Sequence, residues 1–270
     1  MNRITKRFEM LQARGRKGFI PFITAGDPDL ATSKQIVLTL AGMGADIIEL
    51  GVPFTDPMAD GPTIQASSTR ALGNGVTLKD ILAMVREIRE TCETPIVLFS
   101  YFNPIFRFGI ERLAIDAAAT GIDGVLVTDA VDDEASEIGQ TLHEHGIDLI
   151  SLIAPTTSDD RLRSIGERAR GFLYAVSRAG VTGAQKETGE SAETLVKRAR
   201  RFTDLPIAVG FGISTRSQIE EVWKYADAAV VGSAIVAEIE RSIATGNTVE
   251  TIRDFIGGLL PQVAKDAAES

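Results

Sequence analysis

The chain has 270 residues, 44% hydrophobic and 24% charged, with a mean hydropathy of +0.08; that balance supports a sizeable core and excludes a disordered chain. A formal net charge of -9 argues against nucleic acid as the main partner and leaves small anions held by backbone open. The one cysteine, Cys92, rules out an intramolecular disulfide or a cysteine-held metal cluster and fits a reducing, cytoplasmic setting, and no apolar run reaches the roughly 18 residues of a membrane span.

The N-terminal stretch MNRITKRFEMLQARGRK is basic but has no continuous apolar segment. Ile4, Phe8 and Leu11 recur at helical spacing, which predicts a short helix rather than a targeting signal. From Phe19 onward, short Val/Ile/Leu-rich runs alternate with amphipathic stretches: strand Phe19–Ile23, helix Asp29–Met43, strand Asp46–Leu50, a helix capped by Thr77 and Asp80, and strand Ile96–Phe99. A helix through Ala117 follows, then strand Gly124–Thr128, helix Asp132–His145, strand Asp148–Ile153 and helix Ser158–Arg168. Strand Phe172–Val176, helix Ser191–Arg201, strand Pro206–Val209, helix Thr215–Tyr225 and strand Ala228–Val231 complete the pattern, and the last residues, Ala264–Ser270, are expected to fray.

Eight strands read as continuous apolar runs, which is how strands covered on both faces of a parallel sheet read. The prediction is a single domain over 1–270, a (β/α)8 barrel (TIM barrel), with the N-terminal helix on its floor and a short extra helix after strand eight. Periodicity alone leaves an open doubly wound sheet as the rival; the count of eight favours closure.

In such barrels chemistry sits at the C-terminal ends of the strands. Glu49 shares its parity with Ile47 and points inward if Ile48 and Leu50 face the outer helices. Spacing leaves it either an acid/base group, its pKa raised by burial, or a salt-bridged structural residue. Asp60, before Gly61 and Pro62, is either a second functional carboxylate or an N-cap. Tyr174 faces inward with Phe172. Glycine-rich loops follow strands six, seven and eight at Ser177–Ala184, Gly210–Ser214 and Gly232–Val236; they make either tight turns or a phosphate cradle, and three at adjacent strand ends favour the cradle. His143 and His145 are wrongly spaced for a metal pair on a helix. The run Lys197–Arg201 reads as a solvated helix face.

Taken jointly, ELGVPFTDPMADGPTIQ at Glu49–Gln65, SRAGVTG at Ser177–Gly183, GFGI at Gly210–Ile213 and GSAIV at Gly232–Val236 are specific: the sequence resembles the tryptophan synthase α subunit family over nearly its whole length. The resemblance implies a lyase that cleaves indole-3-glycerol phosphate to indole and glyceraldehyde 3-phosphate with no metal or organic cofactor of its own. By this resemblance Glu49 is the acid/base group, Asp60 binds the indole N–H, and Tyr174 lies near the reacting end. Phe22, Ile64, Leu98, Phe99 and Leu126 would line the indole pocket. Gly183, Gly212, Gly232 and Ser233 would bind the phosphate, and Thr182 would sit in a closing lid.

The family works as an αββα complex in which indole passes to a pyridoxal-phosphate β subunit, and Asp56, Pro57, Asn103 and Pro104 match β-facing positions. One departure stands out. Where the family reads Asp-x-Pro after strand four, this chain has Asp129-Ala130-Val131, a change that bears on subunit contact rather than on chemistry. Two other readings stay open at this level: a stand-alone lyase that releases free indole, and a non-catalytic, phosphate-binding activator of the β subunit. Intact Glu49 and Asp60 argue against the last.

Overall fold

A computed structural model of the protein describes residues 2–130, 132–176, 188–210 and 212–260. Eight parallel strands close on themselves in sequence order: β1 (Gly18–Thr24), β2 (Ile48–Gly51), β3 (Ile96–Ser100), β4 (Gly124–Val127), β5 (Asp148–Ile153), β6 (Leu173–Val176), β7 (Ile207–Gly210) and β8 (Ala228–Val231). The ladder from Gly18↔Ala228 to Pro21↔Val231 joins β1 to β8 and excludes the open sheet. Helices α1 (Arg3–Ala13), α2 (Leu30–Gly42), α3 (Pro62–Gly73), α4 (Leu78–Ile88), α5 (Phe102–Phe108) and α6 (Ile110–Thr120) belong to the first half. Helices α7 (Asp132–Glu144), α8 (Asp159–Arg168), α9 (Thr188–Ala199), α10 (Arg216–Val222), α11 (Ser233–Ser242) and α12 (Thr248–Leu259) belong to the second. The expectation for Ala264–Ser270 lies outside the described residues.

Period two sorts each strand between two cores. Ile48 and Leu50, Ile96 and Leu98, Val125 and Val127, and Ala229 and Val231 pack outward under the helices. Ile20, Ile47, Val97, Leu126, Ile150, Phe172 and Val230 fill the interior. Ile4, Phe8 and Leu11 of α1 join that inner set, and the Phe8 and Phe172 rings lie 5.6 Å apart, so α1 closes the barrel floor as its spacing predicts.

The floor is also fixed by aspartates that the apolar pattern does not reveal. Asp46 Oδ2 accepts from Phe19 N at 2.8 Å, Asp123 Oδ2 from Ile96 N at 2.8 Å, and Asp227 Oδ2 from Ile207 N at 2.9 Å. Each ties the start of one strand to its neighbour through a charge-assisted bond of about 1.5–3 kcal/mol.

Local departures have local causes. The helix expected to run through Ala117 divides into α5 and α6 at Gly109, whose φ of 95° no helix accommodates. The Thr77–Asp80 capping box forms as read. Asp60 does not cap α3: Gly61 occupies the N-cap with no side-chain bond, and Pro62 opens the first turn. The helix after β8 spans ten residues, and α12 follows it.

Candidate active site

Glu49 lies in β2 opposite Phe22 of β1 and Val97 of β3. It is fully buried, and neither carboxyl oxygen has a hydrogen-bond partner among the described residues. A bare carboxylate there would be strongly disfavoured, and burial pushes the Glu49 pKa up to about 8. At neutral pH the group is a carboxylic acid with a transferable proton, so the salt-bridged structural alternative has no support.

An aromatic wall surrounds it. The Phe22 and Phe99 rings meet edge to face at 5.3 Å, and Phe99 lies 6.2 Å from Tyr174. A Cβ at Gly210 would collide with Tyr174 Oη, so only glycine on β7 leaves room for that hydroxyl. Burial first, then the charges of Glu49 and Asp60, holds the Tyr174 hydroxyl well above its ordinary pKa; it stays a neutral donor.

Asp60 ends the loop after β2 and is half-buried. Burial raises its pKa to about 6, opposed by a hydrogen bond from Tyr101. Tyr101, the first residue beyond β3, also accepts from Ala59 N at 3.0 Å and packs its ring 5.2 Å from Phe54. Burial, and after it the negative charge of Asp60, raises the Tyr101 hydroxyl pKa. Sequence reasoning missed this residue; its only signal was a tyrosine at a strand's C-terminal end.

Of the residues expected around the indole ring, Phe22 and Leu126 are buried in the barrel, Phe99 packs against that inner set, and Ile64 is half-buried in the first turn of α3. Leu98 is a correction. It belongs to the shell under the helices, because its neighbours Val97 and Phe99 take the inward direction and period two sends Leu98 the other way.

The opposite side of β1 carries the glycines and the helix start expected to meet a phosphate. Gly232 caps α11 without a side-chain bond, so the first amides of that helix and the Ser233 hydroxyl remain available, and Ser233 is exposed. A helix N-terminus with free amides attracts a phosphate. A Cβ at Gly232 would lie 3.4 Å from Phe22 Cβ, so this end adjoins the aromatic wall. Gly212 adopts φ 71°, a left-handed turn that suits glycine. Gly183 and Thr182 lie outside the described residues, and the α11 amides and Ser233 hydroxyl are free of partners only among the described residues.

At the mouth, Asp56 and Asn103 are exposed and Pro57 and Pro104 half-buried. Met58 and Phe106 beside them are 78% and 63% exposed, an apolar surface that water does not favour. Asp129 Oδ1 accepts from Phe102 N at 2.6 Å and anchors the start of α5 without the family's proline.

The family model for the tryptophan synthase alpha chain matches residues 8–257. The tryptophan synthase alpha chain of Geobacter sulfurreducens is 49% identical over 265 residues, covering 95% of this chain and 100% of that one. A crystal structure of tryptophan synthase subunit alpha from Legionella pneumophila superposes with a TM-score of 0.89 at 34% identity, covering 99% of each chain. A chain from the tryptophan synthase a2b2 complex of Pyrococcus furiosus, a structure concerned with mutual activation, gives a TM-score of 0.83 at 41% identity over 90% of this chain and 97% of that one. With a matching model over nearly its full length and relatives approaching half identity, the chain belongs to the tryptophan synthase alpha chain family.

Proposed function

We propose that Glu49 and Asp60 divide between them the work of the family's lyase reaction, the cleavage of indole-3-glycerol phosphate to indole and glyceraldehyde 3-phosphate. The observation that carries this reading is the contrast between the two carboxyls: Glu49 is buried without a partner and protonated below about 8, while Asp60 titrates at about 6 and is ionised at neutral pH. Two carboxyls set apart by environment supply an acid and a fixed negative charge at one pH.

In this account Glu49 delivers its proton to C3 of the indole ring. The ring nitrogen becomes cationic, and the Asp60 carboxylate, bonded to the ring N–H, stabilises that charge. Glu49, now a carboxylate, takes the proton from the hydroxyl on the adjacent side-chain carbon. The carbonyl forms, the carbon–carbon bond breaks, and its electron pair restores the aromatic ring. Glu49 ends protonated as it began, and both products depart uncharged at the reacting centre. A pKa near the working pH suits a group that gives and recovers a proton in one cycle.

Tyr174 contributes a neutral donor near the reacting carbon. Phe22, Phe99, Ile64 and Leu126 enclose the indole, and Gly212, Gly232 and Ser233 receive the phosphate; for Gly183 and Thr182 the roles at the phosphate and in a lid rest on the family resemblance alone. A β-subunit partner is supported by kinship to chains from tryptophan synthase a2b2 complexes. The finer proposal is an αββα assembly contacted through Asp56, Pro57, Asn103 and Pro104, with the exposed Met58 and Phe106 in the same surface. Among the described residues no helix is long and apolar enough to cross a membrane; a cytoplasmic site of action is part of the proposal.

Indole release from indole-3-glycerol phosphate, measured with and without a tryptophan synthase β subunit, tests this function. Release should be slow alone and at least about tenfold faster with the partner. An equal rate in both would favour the stand-alone lyase, and no release in either would leave only a phosphate-binding activator.

A further inference from the structure

The carboxylate of Asp27, in the loop after β1, is fully buried and takes two bonds from one guanidinium: Arg70 Nε donates to Oδ1 at 2.8 Å and Nη2 to Oδ2 at 3.0 Å. The remaining arm, Nη1, donates to Glu240 Oε1 at 2.8 Å. Three separate segments meet at this one side chain. Asp27 follows the strand that carries Phe22, Arg70 lies on α3, and Glu240 lies on α11. Helices α3 and α11 pack against each other, and both pack on β1.

The two helices begin at the two ends of the substrate site. Helix α11 starts at Ser233, seven residues before Glu240, on the phosphate side. Helix α3 starts at Pro62, two residues after Asp60, and its first turn holds that residue: Gln65 Nε2 donates to the Asp60 carbonyl at 2.9 Å. Ile64 lies in the same turn. A displacement of α3 therefore carries Asp60 and Ile64 with it.

The anchor is stiff. Gly26 N donates to Ser33 Oγ at 3.0 Å and Ser33 Oγ to the Asp27 carbonyl at 3.2 Å, so the loop that presents Asp27 is fixed from behind. A second tie holds α3 to the end of β1, where the buried hydroxyls of Thr24 and Ser67 are 2.6 Å apart and Ser67 Oγ donates to the Ile64 carbonyl at 2.7 Å. A buried ion pair is poor value as a stabiliser, because desolvation offsets most of its attraction and an apolar pair would pack as well. What a planar, two-pronged Arg–carboxylate contact supplies is a fixed angle between the parts it joins.

We propose that Arg70 is a positioning residue of the cleavage reaction: by bridging Asp27 to Glu240 it couples the phosphate-binding start of α11 to the placement of Asp60 and Ile64 at the start of α3. Phosphate held on α11 fixes that helix, the Glu240–Arg70–Asp27 bridge passes the restraint to α3, and the indole end of the site is preorganised before the ring arrives. This inference rests on the phosphate and Asp60 assignments made above.

The test is a binding cycle with two probes that occupy the two halves of the site, indole and sn-glycerol 3-phosphate, followed by calorimetry on the purified chain well below its Tm. In the unaltered chain, saturating glycerol 3-phosphate should tighten indole binding at least about fivefold, within the usual range of coupling between sites. In Glu240→Ala, a change at an exposed position that leaves the Asp27–Arg70 pair intact, and in the double variant Asp27→Asn/Arg70→Met, which removes both charges of the pair together, the factor should fall below about twofold. Arg70→Lys should retain an intermediate value. A bridge that only stabilises the fold would lower Tm in these variants and leave the coupling factor at its parental value; that result overturns the inference alone. Failure of glycerol 3-phosphate to bind the unaltered chain would overturn the phosphate assignment and this inference with it, and binding without any coupling in the unaltered chain would overturn this inference while sparing that assignment.

Discussion

Tyr101 donates its hydroxyl to the Asp60 carboxylate while accepting the amide of Ala59, and so holds the loop after β2 against the end of β3. The bond lowers the pKa that burial raises, and leaves Asp60 titrating at about 6 beside Glu49 at about 8. Activity of the free enzyme requires Asp60 ionised and Glu49 protonated. The predicted kcat/KM profile is therefore a bell, rising through about pH 6 and falling through about pH 8. Tyr101→Phe removes a contact that favours the carboxylate, so its acidic limb moves to higher pH while the basic limb stays. A profile in which both limbs are unmoved would remove Asp60 from the acidic limb.

The unpaired state of Glu49 makes the empty chain less stable at high pH. The folded state holds its proton up to about pH 8, whereas the unfolded chain releases it near 4.5. Between those values the native state binds more protons, so stability is fully present below about 4.5 and declines as pH rises to about 8. The total is on the order of 5 kcal/mol for a group this buried. Glu49→Gln removes this term, so the denaturation free energies of parent and variant should differ most at pH 8, in the variant's favour, and converge toward pH 4.5. Parallel curves would mean that Glu49 is solvated or paired in the free protein.

Ser233 opens α11, and an acidic side chain there would put a negative charge against the phosphate. Ser233→Asp should raise KM for indole-3-glycerol phosphate at least about tenfold, a loss of about 1.4 kcal/mol of binding, with a smaller effect on kcat. An unchanged KM would place the phosphate elsewhere.

The barrel itself was legible because its strands are buried on both faces, which keeps them apolar and short, and because helices such as α4 carry explicit caps. Period two alone sent Glu49 inward. The same rule, applied to Leu98, would have excluded it from the indole pocket in favour of Phe99; that assignment came from resemblance, and the geometry corrects it. Asp60 is open to two readings, functional carboxylate or cap, because proline follows closely; Gly61 intervenes, takes the cap position and frees the Asp60 side chain for Tyr101. Tyr101 itself was invisible for a physical reason: its partner lies 41 positions earlier, and the contact exists only once two loops fold over the barrel mouth. Asp46, Asp123 and Asp227 were hidden likewise, since a side chain that bonds a neighbouring strand's amide leaves no periodic trace. The Asp27–Arg70–Glu240 bridge joins residues spread over most of the chain and needs the closed barrel to exist.

The central claim is that one buried, partnerless carboxyl both gives and recovers the proton of the cleavage. The most direct measurement is single-turnover indole formation from indole-3-glycerol phosphate by the parent and by Glu49→Gln, each with the β subunit present and glycerol 3-phosphate affinity measured alongside. The rate should fall at least about a thousandfold in Glu49→Gln, with glycerol 3-phosphate affinity within about twofold of the parent. Turnover by Glu49→Gln within about tenfold of the parent would contradict the claim.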